Sequence, residues 1–123
     1  MDVANEKKLV VKRSMSVHAL IAEFRKVFPF LKLEILYNGK ETSMLYPFTP
    51  LHKLTARRRL KDFEIHDELT VQEVVDLFWD NMGLQVCIAR KLASLNVETA
   101  FTSQWTLKQQ NRVGSEVYSE FEK

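Results

Sequence analysis

Hydrophobic positions in this chain change period twice over its first third, and the same changes recur in the same order later. Leu9 and Val11 lie two apart in a short apolar run between Lys8 and Lys12, which predicts a short strand with both on one face. From Val17 the apolar positions fall at 17, 20, 21, 24, 27 and 28, one stripe of a helix, with His18, Glu23, Arg25 and Lys26 left outside. Ser16 supplies a hydroxyl N-cap and Pro29 a stop. Alternation then resumes from Leu31 to Tyr37.

A shift of 54 residues lays this pattern on the second half. Leu9 and Val11 meet Phe63 and Ile65; Met15 meets Leu69, and Ser16 meets Thr70. Val17, Leu20, Ile21, Phe24 and Phe28 meet Val71, Val74, Val75, Phe78 and Met82. After a one-residue gap, Leu31, Leu33 and Ile35 meet Leu84, Val86 and Ile88. Identities are few, so the match is one of class and period. The second helix starts better than the first, because Thr70 has Glu73 three residues on, a capping box, and Gly83 is suited to end it.

Each unit carries an extension. Asn38-Gly39 is a hairpin signal that should return the chain as a strand near Thr42–Tyr46. In the second half, Leu92–Asn96 reads as the turn and Val97–Thr102 as the returning strand. Helical starts follow at Thr49-Pro50-Leu51 and at Thr106-Leu107-Lys108-Gln109. The expected organisation is one α+β domain over 1–123: repeat 1 at about 8–54, a basic connector at 55–61, repeat 2 at about 62–114 and a polar tail at 115–123. Tandem β-α-β(-β) repeats suggest a ferredoxin-like antiparallel sheet with both helices on one face. The alternative is a pseudo-twofold pairing of two small sheets. A Rossmann-type sheet is disfavoured, since no Gly-rich turn follows either first strand.

The run LTVQEVVDLFWDNMGLQV and the later QWTLKQQN resemble a class of small uncharacterised bacterial α+β proteins. Their unit has a Met/Leu-Ser/Thr-Val helix start, a mid-helix Phe, a Gly, an apolar strand and a Trp-Thr-Leu-x-x-Gln-Asn segment. The resemblance covers roughly residues 62–114, with a weaker version in the first copy where Pro29 replaces the Gly. These are core and cap positions, and the resemblance implies no function.

Composition narrows the class without naming an activity. The chain has 123 residues, 46% hydrophobic and 28% charged, a globular balance long enough to bury about two-thirds of its unfolded surface. No apolar run approaches the ~20 residues of a membrane span, and Met1–Lys8 contains no apolar signal core, so no membrane association is expected. A single cysteine, Cys87, fits a reducing compartment, and the expected location is cytoplasmic. Net charge is +2 but unevenly spread: residues 1–61 hold 13 Lys and Arg against 5 Asp and Glu, and residues 62–123 hold 5 against 11. Opposite halves of this kind can steer self-association or a charged partner, or merely reflect solvated surfaces.

Candidate chemistry is sparse. Arg57, Arg58, Arg59 and Lys61, with Lys53 upstream, could contact phosphates or an acidic protein surface. The isoelectric point of about 8.7 and the lack of interleaved aromatics favour a solvated connector paired with the acidic half. His18, His52 and His66 show no metal-ligand spacing; His66 is expected on the outward face of its strand. Cys87 lies among apolar neighbours with no evident cation, which does not suit a nucleophile. No metal or cofactor is expected. Trp79 lies one position past the core residue Phe78, where its partner in the first copy is Arg25. Either the C-terminal segment with Trp105, Leu107 and Val113 folds over it, or a partner does. The favoured function is a non-catalytic protein-interaction domain, self-associating or with another protein, using Trp79, Arg57, Arg58, Arg59 and Lys61. The runner-up is a nucleic-acid-associated protein using residues 53–61, and a third reading is a small enzyme with a site between the repeats.

Overall fold

The computed structural model describes residues 7–92, 95–98 and 102–122. Its element order is β1 (Lys8–Val11), α1 (Val17–Val27), β2 (Leu31–Tyr37), β3 (Lys40–Glu41), a one-turn 3-10 helix (Leu51–Lys53), β4 (Phe63–His66), α2 (Val71–Met82), β5 (Gln85–Leu92), β6 (Leu95–Glu98) and α3 (Leu107–Glu122). The class is therefore α+β, with three helices and two antiparallel sheets among the described residues.

Local chemistry places the helix ends. Ser16 Oγ accepts from Ala19 N–H, and Thr70 and Glu73 exchange the two bonds of a capping box. Thr106 and Gln109 do the same at the start of α3. The chain leaves α2 through Gly83 in the left-handed conformation (φ +65°), its N–H returning to Trp79 O at 2.9 Å. The expected apolar stripes are the buried ones: Val17, Leu20 and Phe24 in α1, and Val71, Val74, Phe78 and Met82 in α2. With Leu31, Leu33 and Ile35 from β2 and Leu84, Val86 and Ile88 around β5 they form one cluster. Leu51 and Leu107, the first residues of the two later helical turns, are fully buried in it.

The strands do not make a ferredoxin-like sheet. β1 pairs only with β4, as a two-stranded ribbon, while the larger sheet has the order β3-β2-β5-β6. β2 and β5 pair directly from Leu31↔Arg90 to Leu36↔Gln85, so the two longest strands are each other's neighbours, and β3 and β6 pair with one end of their outer sides. Nor does either half keep its own sheet, since both sheets draw strands from both halves.

The extensions also differ from expectation. Asn38 (φ +54°) and Gly39 (φ +76°) form the hairpin turn, but β3 ends at Glu41. Thr42 N–H and Oγ1–H both donate to Ile35 O, the Glu41 carboxylate accepts from Ser43 N–H, and Tyr46 N–H returns to Thr42 O. Those bonds curl the chain away from the sheet, so residues 42–46 are a loop. In the second half β6 starts earlier than expected, with Leu95 opposite Leu92; residues 93–94 of the expected turn and 99–101 of the expected strand lie outside the described residues. Residues 115–122 of the expected tail continue α3, which reaches Glu122, and Lys123 lies outside the described residues.

Candidate interaction surface

Six exposed large hydrophobic side chains come from β2, the loop after β3, and α2. Phe48 is 79% exposed, Met44 87% and Trp79 55%, and Leu45, Tyr46 and Tyr37 are also exposed. They join through contacts and a shared hollow. Tyr37 packs edge-on against Tyr46 at 5.9 Å, and Phe48 lies 6.0 Å from the ring of His18. Tyr37 and Trp79 line the same hollow, of about 430 Å³, together with Leu36, Lys53, Thr55 and Gln85. An aromatic strip thus runs from the end of α2 to the start of α1.

Its two ends are held for different reasons. The loop from Thr42 to Thr49 is tied to the sheet by Thr42 and to α1 by two carbonyls: Pro47 O accepts from His18 N–H at 2.7 Å and Thr49 O from Val17 N–H at 3.0 Å. Those donors are first-turn groups with no partner inside the helix, so the loop satisfies α1 while α1 fixes the loop. Met44, Leu45 and Phe48 are therefore presented on backbone anchored on both sides. At the other end Trp79 is one residue past the buried stripe, and Arg57 covers it with Cζ 5.4 Å from the ring centroid.

Arg57 also closes the end of α2. Its Nη1 donates to Asp80 O at 2.7 Å, placing a cation at the negative end of the helix dipole. Its Nε would lie 2.8 Å from a Cβ at Gly83, so a side chain there would displace Arg57, in addition to the strain of the positive φ. Lys61 N–H donates to Asn81 O, so the connector lies along the end of the acidic helix. Arg58 and Arg59 are exposed. Of the five residues singled out from the sequence, Trp79 and Arg57 meet, Lys61 is placed on α2 by its backbone, and Arg58 and Arg59 extend into solvent.

Other expectations fare differently. The C-terminal segment does not bury Trp79: Leu107 enters the core, and Trp105 stacks beneath Arg90, whose Cζ is 5.8 Å from its ring. Cys87 faces away from Val86 and Ile88, and its Sγ donates to Glu34 Oε1 across the β2–β5 pair at 2.9 Å. Its neighbour is thus a carboxylate. His66 alternates with buried Ile65 in β4 and is half-buried, with Nδ1 shielded and unpaired. Among the described residues no group of three or more His, Cys, Asp or Glu could hold a metal, and no helix is long and apolar enough to cross a membrane. The Lys91 pKa is lowered by partial burial and then by the nearby Arg25 and Lys32, but Lys91 lines none of the hollows beside Trp79.

Sequence reading misses the loop that follows β3, since it expects a strand at Thr42–Tyr46. Pro47 was the available signal, because a strand interior does not tolerate it. No protein-family model, curated protein or solved structure matches the chain, so the resemblance over residues 62–114 adds nothing to the reading of this surface.

Proposed function

We propose that this chain is a small non-catalytic binding domain whose protein partner, another protein or a second copy, covers the strip from Trp79 to Phe48. One observation carries the reading: exposed aromatic and aliphatic side chains join through ring contacts and a shared hollow, on backbone fixed by hydrogen bonds. Contiguous apolar patches of this kind mark binding sites, and Trp and Tyr are over-represented where binding energy concentrates. Full burial of Phe48 or Met44 would contribute about 1.5–3 kcal/mol each. Anchoring the loop in advance lowers the ordering cost of docking. The test is quantitative affinity capture with the whole chain, Phe48→Ser and Trp79→Ala, all checked for unchanged circular dichroism. A protein retained by the wild type and lost from both variants supports the reading; equal retention by all three contradicts it.

A nucleic-acid reading is favoured by one observation: exposed Arg58 and Arg59 follow Arg57, which rests on an exposed indole. It predicts binding that weakens steeply with salt and falls when Arg58 and Arg59 become Ala.

We also read the architecture as one domain built from two β-α-β-β copies related by a pseudo-twofold. Antiparallel pairing of β1 with β4 and of β2 with β5 supports this, because each pairs an element with its counterpart. The loop bonds correspond as well. Val17 N–H to Thr49 O and His18 N–H to Pro47 O match Val71 N–H to Trp105 O and Gln72 N–H to Ser103 O. The isolated bridge Ser16↔Pro50 likewise matches Thr70↔Thr106.

A further inference from the structure

We infer that the hollow between Tyr37 and Trp79 receives an acidic segment of the protein partner, one apolar side chain entering the hollow and carboxylates meeting the connector. The inference rests on the interaction reading above and gives the partner its chemistry. The hollow, about 430 Å³, has room for one large side chain, with Leu36, Tyr37 and Trp79 as its apolar surfaces. Its connector wall runs through Lys53, Leu54, Thr55 and Ala56. The stretch from Lys53 to Lys61 holds five cations (Lys53, Arg57, Arg58, Arg59 and Lys61) and no Asp or Glu.

Those cations are not equally available. Arg57 is committed to the Trp79 ring and to Asp80 O. Lys53 lines the hollow, and Arg58 and Arg59 are exposed beyond it. A second hollow beside Trp79, of about 370 Å³, is lined by Val75, Asp76, Leu84 and Gln85, with a carboxylate as its charged group. Trp79 therefore borders one hollow lined by Lys53 and another lined by Asp76. An acidic segment is drawn to the connector side and repelled from the other, which fixes its placement as well as its affinity. A nucleic acid would use the same cations and could stack on the exposed rings, whereas exposed Met44 and Leu45 suit an apolar protein surface; the oligonucleotide competition below separates the two.

The experiment selects a phage-displayed library of random linear peptides on the whole chain and measures the selected peptides by fluorescence anisotropy. The expected result is peptides rich in Asp and Glu around one large apolar residue. Trp79→Ala should abolish their binding. Lys53→Gln, and Arg58→Gln with Arg59→Gln, should each weaken binding by about tenfold or more, the scale of one lost charge-assisted contact. Peptides that need Trp79 but carry no acidic bias, and ignore the Gln variants, would overturn this inference and leave the interaction reading standing. Peptides indifferent to Trp79 and Phe48 would overturn both. A labelled single-stranded oligonucleotide that outcompetes the selected peptides would replace the acidic segment with nucleic acid.

Discussion

Replacing Gly83 with Ala tests how the end of α2, the connector and Trp79 are joined. Two costs arise. An L-residue held at φ +65° costs about 1 kcal/mol or slightly more. The new Cβ would also stand 2.8 Å from Arg57 Nε and 2.9 Å from Thr55 Oγ1, closer than real contacts allow. Thr55 can rotate, but Arg57 must leave, forfeiting its place over Trp79 and its bond to Asp80 O. At this exposed position the two contacts together are worth about 1 kcal/mol. The expected loss for Gly83→Ala is therefore about 2–3 kcal/mol. The diagnostic number is the coupling. In an Arg57→Ala background the second cost is already incurred, so Gly83→Ala should cost only about 1–1.5 kcal/mol there. Urea unfolding followed by far-UV circular dichroism on the four proteins gives the cycle, provided the transitions stay two-state. Costs that add within about 0.5 kcal/mol would refute the claim that glycine is there to admit Arg57.

Phe78→Ala empties a fully buried site packed edge-on against Phe63 at 4.9 Å and should cost about 3–5 kcal/mol by urea unfolding, leaving little or no folded protein. Thr70→Ala removes the capping-box acceptor of Glu73 N–H and should cost about 1 kcal/mol. Phe48→Ser, at an exposed loop position, should shift the melting temperature hardly at all, which keeps it usable as a binding variant. Because the Lys91 pKa is lowered, its protonated form is disfavoured in the fold, a cost fully present below the folded value and relieved as pH rises toward 10.5. Lys91→Gln should therefore match or exceed wild-type stability near neutral pH, and the difference should shrink at alkaline pH. A Gln variant less stable than wild type near neutral pH would contradict that sign.

What the chain disclosed about itself follows the range of the interactions involved. Helices α1 and α2 were legible to within a residue, because stripe, cap and stop are all local: Ser16 and Pro29 for one, Thr70, Glu73 and Gly83 for the other. Strand positions were legible too, but not their partners. Nothing in Leu33 says that it will lie opposite Ile88, and a two-residue period is compatible with several sheets. Loop 42–48 failed for a different reason. A strand was expected at 42–46, and what ends it at Glu41 is Thr42 bonding twice to Ile35 O, a contact between hairpin arms. Trp79 and Arg57 were each conspicuous in the sequence. Their meeting was not, since it depends on the connector crossing the end of α2.

The most direct test of the central claim is photo-crosslinking from within the strip, with benzoylphenylalanine at position 48 and, as control, at Val10, which is exposed on β1 away from it. In cells that make this chain, the account predicts one recurrent protein adduct from position 48, identified by its peptides. That adduct should be absent from position 10 and lost when Trp79 is also Ala. The same adducts from both positions, or adducts from position 48 that persist without Trp79, would contradict it.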